Sequence, residues 1–357
     1  MKILDKYILK QFVGTFIFCV FILSIIAIVI DFTEKVDSFM GGKAPGSAIL
    51  KYYLAFVPYI NALLFPLFVF VAVIFFTSRL TNRSEVIAML NGGMSYNRFL
   101  LPYLIGGIFF SGVILYGNHS LIPKANRLRL NFENKYINYN SVKSGNDMHF
   151  RISPTEFIYL KSYNVLGKTG YNFSYERIVD LQLREKIWAN EIQFDSVKKS
   201  WRLINVKIRS LDSNRESLTQ YPKLERSFNF VHSDLIEEHE VKQAMTTSEL
   251  NAFIDKEKRK GNPALSAFEV EKHRRTAAPG SVIVLTLIGA IMSSRKVRGG
   301  SGIHLALGLL IGAAYIVFMQ FSVTFSIKGD LPPMLAVWIP NFIFAALAFV
   351  IYKRYNS

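Results

Sequence analysis

The sequence predicts an α-helical membrane protein with six transmembrane helices and an all-β domain inserted between the third and the fourth. Three observations carry this. The chain of 357 residues is 51% hydrophobic with a mean hydropathy of +0.25, more apolar than a soluble protein of that length. Its apolar residues gather into long uncharged runs at both ends and thin out between about Pro123 and Pro279. Within that middle stretch, apolar and polar residues alternate with the period of strands.

A helix needs about 20 apolar residues to cross the hydrocarbon core, where an unpaired backbone group is not tolerated. Phe12 to Ile30 meets this without a charge, and Tyr52 to Thr77 follows, with Pro58 and Pro66 predicting a kink. Phe99 to Gly117 is the third span, and the short run Ala277 to Met292 borrows a turn from its flanks. Gly302 to Ser326 and Leu335 to Tyr352 complete the six. Lys2, Lys6 and Lys10 precede the first run as in a signal peptide, but the run is too long and lacks a small-residue cleavage site. It reads as an uncleaved helix.

The short loops set the expected orientation. One side holds Lys2, Lys6, Lys10, Arg79, Arg83, Arg98, Arg295, Lys296, Arg298, Lys353 and Arg354; the other mixes fewer cations with Asp31, Glu34, Asp37 and Asp330. The positive-inside rule then places both termini in the cytoplasm and the insert outside, in the periplasm of a cell with two membranes. The net charge of +16 is thereby explained without nucleic acid. Three segments follow: 1–120, 121–275 and 276–357.

Within the insert, Glu156 to Leu160, Arg177 to Leu183, Trp201 to Ile208 and Ser227 to Val231 read as strands of a sandwich, jelly roll or open barrel. Lys124 to Tyr139 and Thr246 to Arg275 read as helical connectors, the second opening with the capping box Thr246-Thr247-Ser248-Glu249.

Catalytic chemistry is not found. Gly167-Lys168-Thr169 imitates the end of a phosphate-binding loop, but Ser162 stands where the motif needs glycine. Cys19 is the single cysteine, which excludes an intrachain disulfide, and the six histidines show no metal-ligand spacing. No cofactor is expected, and the chain reads as a non-enzyme. His304, near the inner end of the fifth span, is the main ionisable group in the spans. With no intramembrane carboxylates to couple ions, energy for any transport must come from a partner.

The loop between the second and third spans, about 79–95, is the sharpest feature. Asn82 and Glu85 form a capping box, and Gly92 suits the left-handed residue that ends a helix. The expected short amphipathic helix exposes Val86, Met89 and Leu90 beside Arg83 and Glu85. It suits either docking to a cytoplasmic motor or lying in the lipid headgroups.

Leu4-Asp5-Lys6-Tyr7-Ile8, Phe65-Pro66, Arg83-Ser84-Glu85-Val86, Gly92-Gly93 and the connector from Thr247-Ser248-Glu249-Leu250 to Pro279 together resemble the lipopolysaccharide export permeases, LptF/LptG (formerly YjgP/YjgQ). The resemblance covers essentially the whole chain, and the opening motif is closer to the G subunit. It implies a jelly-roll insert, a heterodimer with the paralogous LptF/LptG subunit and a cytoplasmic LptB-type ATPase dimer. It also implies delivery of lipopolysaccharide to a periplasmic bridge of LptC and LptA, through a cavity lined by the first and fifth helices. Glu85 matches the acidic residue of the coupling helix. Some members carry a basic residue where this chain has Asp31. Lys35 and Lys43 are therefore the candidate phosphate contacts, with Phe21, Ile30, His304, Phe157 and Phe230 as lipid-contact candidates. Another ABC exporter, for lipoproteins or small molecules, and a membrane-tethered β-domain binding protein are the competing readings.

Overall fold

The computed structural model describes residues 3–42, 44–137, 148–164, 167–196, 198, 200–212, 215–230, 232–235, 241–260, 265–297 and 301–356. Six helices are long and apolar enough to cross a membrane. They are α1 (Ile3–Gly41), α2 (Gly46–Asn82), α4 (Tyr96–Tyr116), α8 (Leu265–Ser293), α9 (Ser301–Lys328) and α10 (Pro333–Asn356). The short α3 (Glu85–Asn91) joins the second span to the third. After α4 the chain passes through a π-helical turn into α5 (Ile122–Phe132), and the short α6 (Val241–Ala244) and α7 (Thr247–Lys260) precede α8. The expected helix Lys124 to Tyr139 is thus met as far as Ile137; Tyr139, like Arg298, lies outside the described residues.

The spans run past their apolar cores. At 1.5 Å per residue, the 39 residues of α1 reach about 58 Å, so both charged ends project beyond the roughly 30 Å hydrocarbon layer. Likewise α2 continues unbroken through Pro58 and Pro66. The fourth span takes in much of the preceding connector, giving a helix of 29 residues.

Aromatic packing and short polar links hold the helical unit together. Phe12 of α1 stacks on Phe76 of α2 at 6.0 Å and meets Phe110 of α4 edge-on at 5.3 Å. Gly106 makes that approach possible, since a Cβ there would fall 2.5 Å from the Phe12 ring. Several polar side chains in the bundle pair with one another, as a dry environment favours. The Thr77 hydroxyl donates to Tyr103 Oη at 3.0 Å, and the Tyr315 hydroxyl donates to Asn341 Oδ1 at 2.9 Å. Burial is uneven: within the most apolar stretch of each span, 67% is buried in α8 but only 11% in α1 and 22% in α9. The first and fifth spans leave the largest share of their apolar surface uncovered.

The chain divides into two compact units. The helical one comprises Met1–Phe132, Gln243–Leu250 and Ser266–Ser357; the other comprises Glu133–Lys242 and Asn251–Leu265. The second unit contains a six-stranded antiparallel sheet, β1 (Met148–Ser153), β2 (Glu156–Asn164), β3 (Thr169–Val179), β4 (Gln182–Asp195), β5 (Ser200–Asp212) and β6 (Arg215–Arg226). Each strand pairs with its sequence neighbour.

Two expected strands are corrected. Arg177 to Leu183 is not one strand, because Asp180 and Leu181, with φ of 53° and 60°, turn the chain between Val179 and Gln182. This is the left-handed, two-residue hairpin geometry that matches strand twist, and it leaves Leu181 99% exposed. Ser227 to Phe230 is irregular, with Val231 outside the described residues. Phe228 and Phe230 instead fold onto the sheet, against Phe173 at 5.5 and 6.5 Å.

A crease explains how one sheet encloses a core. Lys161, Asn172, Asn190, Asn205 and Pro222 fall on one cross-strand row, and that row is missing from the residue pairing at each of its four steps. Asn172 and Asn205 have φ of 52° and 54°, a conformation asparagine tolerates better than most residues. Inward positions change phase across the row: Leu160 is followed by Tyr163, Ala189 by Ile192 and Leu203 by Val206, all buried. Two successive outward residues per strand bend the sheet toward its apolar face, as a bulge does. Both halves then contribute to one core, from Ile158, Phe173 and Ile187 on one side to Ile192, Trp201 and Leu203 on the other.

Candidate functional site

The loop helix forms, but its faces are reversed from the sequence expectation. Val86, Met89 and Leu90 share one stripe at i, i+3 and i+4, and that stripe turns inward. Val86 is fully buried in the cluster containing Ile8, Phe12, Phe99 and Tyr103, with Met89 and Leu90 partly buried against it. The outward apolar side chain is Ile87, 42% exposed. The expected exposure of Val86 is therefore wrong: periodicity identifies the stripe but cannot say whether the bundle or a partner covers it.

The caps are corrected too. Asn82 ends α2, and Ser84 holds the N-cap position with φ of 62° and no side-chain cap bond. Gly92 has φ of −74°, and the left-handed residue is Gly93 at φ +87°. Glu85, freed from capping, accepts a hydrogen bond on Oε2 from the Tyr7 hydroxyl at 3.0 Å. Arg83 lies 4.0 Å from Oε1. The start of α1 and the start of α3 thus meet at one carboxylate. Arg83 is largely exposed and Glu85 partly so.

Near the other end of α1, Lys35 donates to Asp31 Oδ1 and to Tyr52 Oη, both at 2.6 Å, and the Tyr52 hydroxyl donates to Asp31 Oδ2 at 3.0 Å. The ammonium also sits over the Tyr52 and Phe56 rings. A nearly buried carboxylate needs its cation, so Lys35 is already committed inside the fold. Lys43 lies outside the described residues. Phe21 and Ile30 are 63% and 54% exposed on the open face of α1, where a lipid or a partner helix meets them.

The remaining lipid-contact candidates are dispersed. His304 is buried rather than lipid-facing, and its Nε2 has no hydrogen-bond partner among the described residues. Phe157 is partly buried on the outer face of the sheet, beneath the Arg151 guanidinium. Phe230 is buried in the β core, where its carbonyl accepts the Trp201 Nε1–H at 3.0 Å. It is not on the strand expected at Ser227 to Val231, because the irregular segment after β6 packs its aromatic side chains inward.

Sequence reasoning missed an amphipathic cavity in the helical unit. A space of about 230 Å³ lies between α2, α8 and α9, with Leu63, Leu67 and Ile316 on its apolar side and Gln243, Glu271 and Arg274 on its polar side. Glu271 holds Arg274 at 2.7 Å and Arg275 at 3.2 Å. Paired arginines immediately before an apolar span were the available signal. Nearby, the Thr246 backbone N–H donates to Glu249 Oε2 at 2.8 Å, the carboxylate half of the expected capping box. Arg127 donates to the same oxygen and to the Ala244 carbonyl, which ties α5 to the start of α7 (Thr247–Lys260). These donors hold the Glu249 carboxyl at a pKa of about 2.

Six membrane-length helices, an antiparallel β insert after the third and a docked loop helix between the second and third form the pattern to be matched. A family described as lipopolysaccharide export system permease LptF/LptG matches residues 6–354. No curated protein matches the chain. With nearly its whole length covered, the chain belongs to the LptF/LptG family of lipopolysaccharide export permeases.

Proposed function

We propose that this chain is one permease subunit, G-like at its N-terminal motif, of an ABC-type complex that extracts lipopolysaccharide from the outer leaflet of the inner membrane. Its family and six apolar helices make it a multi-pass inner-membrane protein. In the proposed complex an LptB-type ATPase dimer supplies the energy, a paralogous LptF/LptG subunit completes the permease, and LptC and LptA receive the lipid. The chain itself performs no hydrolysis. The termini are cytoplasmic and the β unit periplasmic.

The observation that carries this reading is the docking of α3. A seven-residue helix anchored by Val86 in the bundle core and by Glu85 to Tyr7 can pass a push from outside directly into α1. That helix is the least covered span and a wall of the lipid route in this reading. Ile87 and the free side of Glu85 are the surface offered to the motor.

The test is Glu85→Lys in the purified complex. Truncating one member of a partly buried interfacial charge pair costs about 2–5 kcal/mol, so the variant is expected to release the ATPase or to hydrolyse ATP without releasing lipid. Normal export with the ATPase still bound in the double variant Glu85→Lys, Ile87→Asp overturns the coupling role.

A further inference from the structure

The outer face of the β-sheet carries a surface of which the export reading uses only Phe157. Along one cross-strand row stand His149, Tyr159, Ser174, Trp188, Lys207 and Gln220. The crease row, with Lys161, Asn172, Asn190 and Asn205, lies two positions away on the same face. Centred on the first row, a groove of about 490 Å³ is lined by Tyr159, Ser174 and Trp188, flanked by Asn172 and Asn190 of the crease row on one side and by Phe157 and the Glu176–Lys186 pair on the other, a size within the usual range for small-molecule sites.

The chemistry of this groove is specific. Two partly exposed rings, Tyr159 and Trp188, rise from the sheet, the first with His149 against it at 4.7 Å and the second with the Lys186 ammonium over one face, and carboxamides of Asn172 and Asn190 stand beside them with both donors and acceptors. The Ser174 hydroxyl, between the two rings on its row, is itself buried and has no hydrogen-bond partner among the described residues. Of the cations on this face, Lys186 is neutralised by Glu176 at 2.6 Å and Arg209 by Glu216 at 2.7 Å. Lys161 and Lys207 are exposed and have no ion-pair partner among the described residues. The surface therefore offers aromatic faces, bidentate amides and uncompensated positive charge.

A pyranose ring matches that combination. Its C–H face is apolar and lies on an aromatic ring, its rim hydroxyls need paired donors and acceptors, and acidic substituents need cations. An acyl chain would leave the amides unpaired, and a protein interface core is depleted of such charges. We propose that this outer face binds an acidic saccharide chain, bearing carboxylate or phosphate groups, with Trp188 as the stacking platform and Lys207 and Lys161 as the anion contacts. The proposal uses the export reading only to suggest the source, the sugar portion of the exported glycolipid; the site stands without it.

The experiment titrates the full chain in lipid nanodiscs with deacylated lipopolysaccharide oligosaccharide, a free oligogalacturonate and a neutral dextran oligomer, following saturation transfer to the sugar protons. Acidic sugars are expected to bind, with dextran at least about tenfold weaker, and Trp188→Ala and Lys207→Glu each to weaken binding about tenfold. Lys207 is exposed, so its variant keeps the fold and separates binding from misfolding. Binding of the deacylated oligosaccharide over oligogalacturonate assigns the glycolipid as source; equal binding assigns acidic polysaccharides in general. Absence of binding at millimolar acidic sugar, or affinities unchanged in both variants, overturns the proposal. ATPase co-purification and lipid release, measured in parallel, report separately on the export reading.

Discussion

Val86 and Ile87 are neighbours in α3, one fully buried and the other 42% exposed, and their truncation separates anchoring from motor contact. Val86→Ala removes two methyl groups from a dry core. At about 0.8 kcal/mol each, plus a cavity contribution, the loss is roughly 2 kcal/mol. A helix of seven residues has little stability of its own, so this loss falls almost entirely on docking. It shifts the ratio of docked to undocked α3 by roughly 30-fold. Ile87→Ala, by contrast, changes stability by less than about 0.5 kcal/mol. Hydrogen exchange across residues 85–91, read alongside ATPase co-purification, distinguishes the two. Val86→Ala is expected to speed exchange throughout α3, whereas Ile87→Ala leaves exchange unchanged and weakens ATPase retention. Unchanged exchange in Val86→Ala, with full ATPase retention in Ile87→Ala, refutes both assigned faces.

Tyr7→Phe removes only the hydroxyl that reaches Glu85, a hydrogen bond to a partly exposed carboxylate worth about 1 kcal/mol. Lipid released per ATP is expected to fall roughly fivefold, with the complex intact, and the effect should vanish in a Glu85→Ala background, which leaves the hydroxyl no acceptor there. Gly106→Ala drives a Cβ to 2.5 Å from the rigid Phe12 ring; overpacking of about 1–3 kcal/mol outweighs the helix-propensity gain of about 1, so thermal stability drops and Phe12→Leu restores it. The Glu249 carboxyl, held at about 2 instead of its ordinary 4.5, binds fewer protons folded than unfolded. Its stabilisation is present above pH 4.5, declines as pH falls and is gone below about 2; Glu249→Gln should flatten that part of the acid-unfolding curve for α7. In a chain with Cys19 replaced, single cysteines at Ser95 and Lys296 should resist an impermeant thiol reagent applied to spheroplasts, and one at Lys168 should react; labelling at 296 reverses the orientation.

Legibility in the sequence followed the range of the forces involved. The six spans were readable because backbone satisfaction in lipid is a local demand: some 20 uncharged residues in a row have no alternative to a helix. The capping contact of Thr246 with Glu249 was readable for the same reason, its partners being three residues apart. Strand segments inside β2 and β5 were readable from alternation, although Arg177 to Leu183 concealed a hairpin in residues that seldom adopt positive φ.

Tertiary structure decided what depends on partners distant in sequence. An apolar stripe on α3 has the same spacing whether it meets an ATPase or the bundle, and only the position of Ile8, Phe12 and Phe99 turns Val86 inward. Lys35 and Asp31 are a local pair four residues apart on α1, but only the approach of Tyr52 from α2 closes the pair into the fold. The crease through Asn172, Asn190 and Asn205 exists only once four strand registers align. Sequence patterning fixes which side chains share a face; what that face meets is set by long-range packing, which no local window contains.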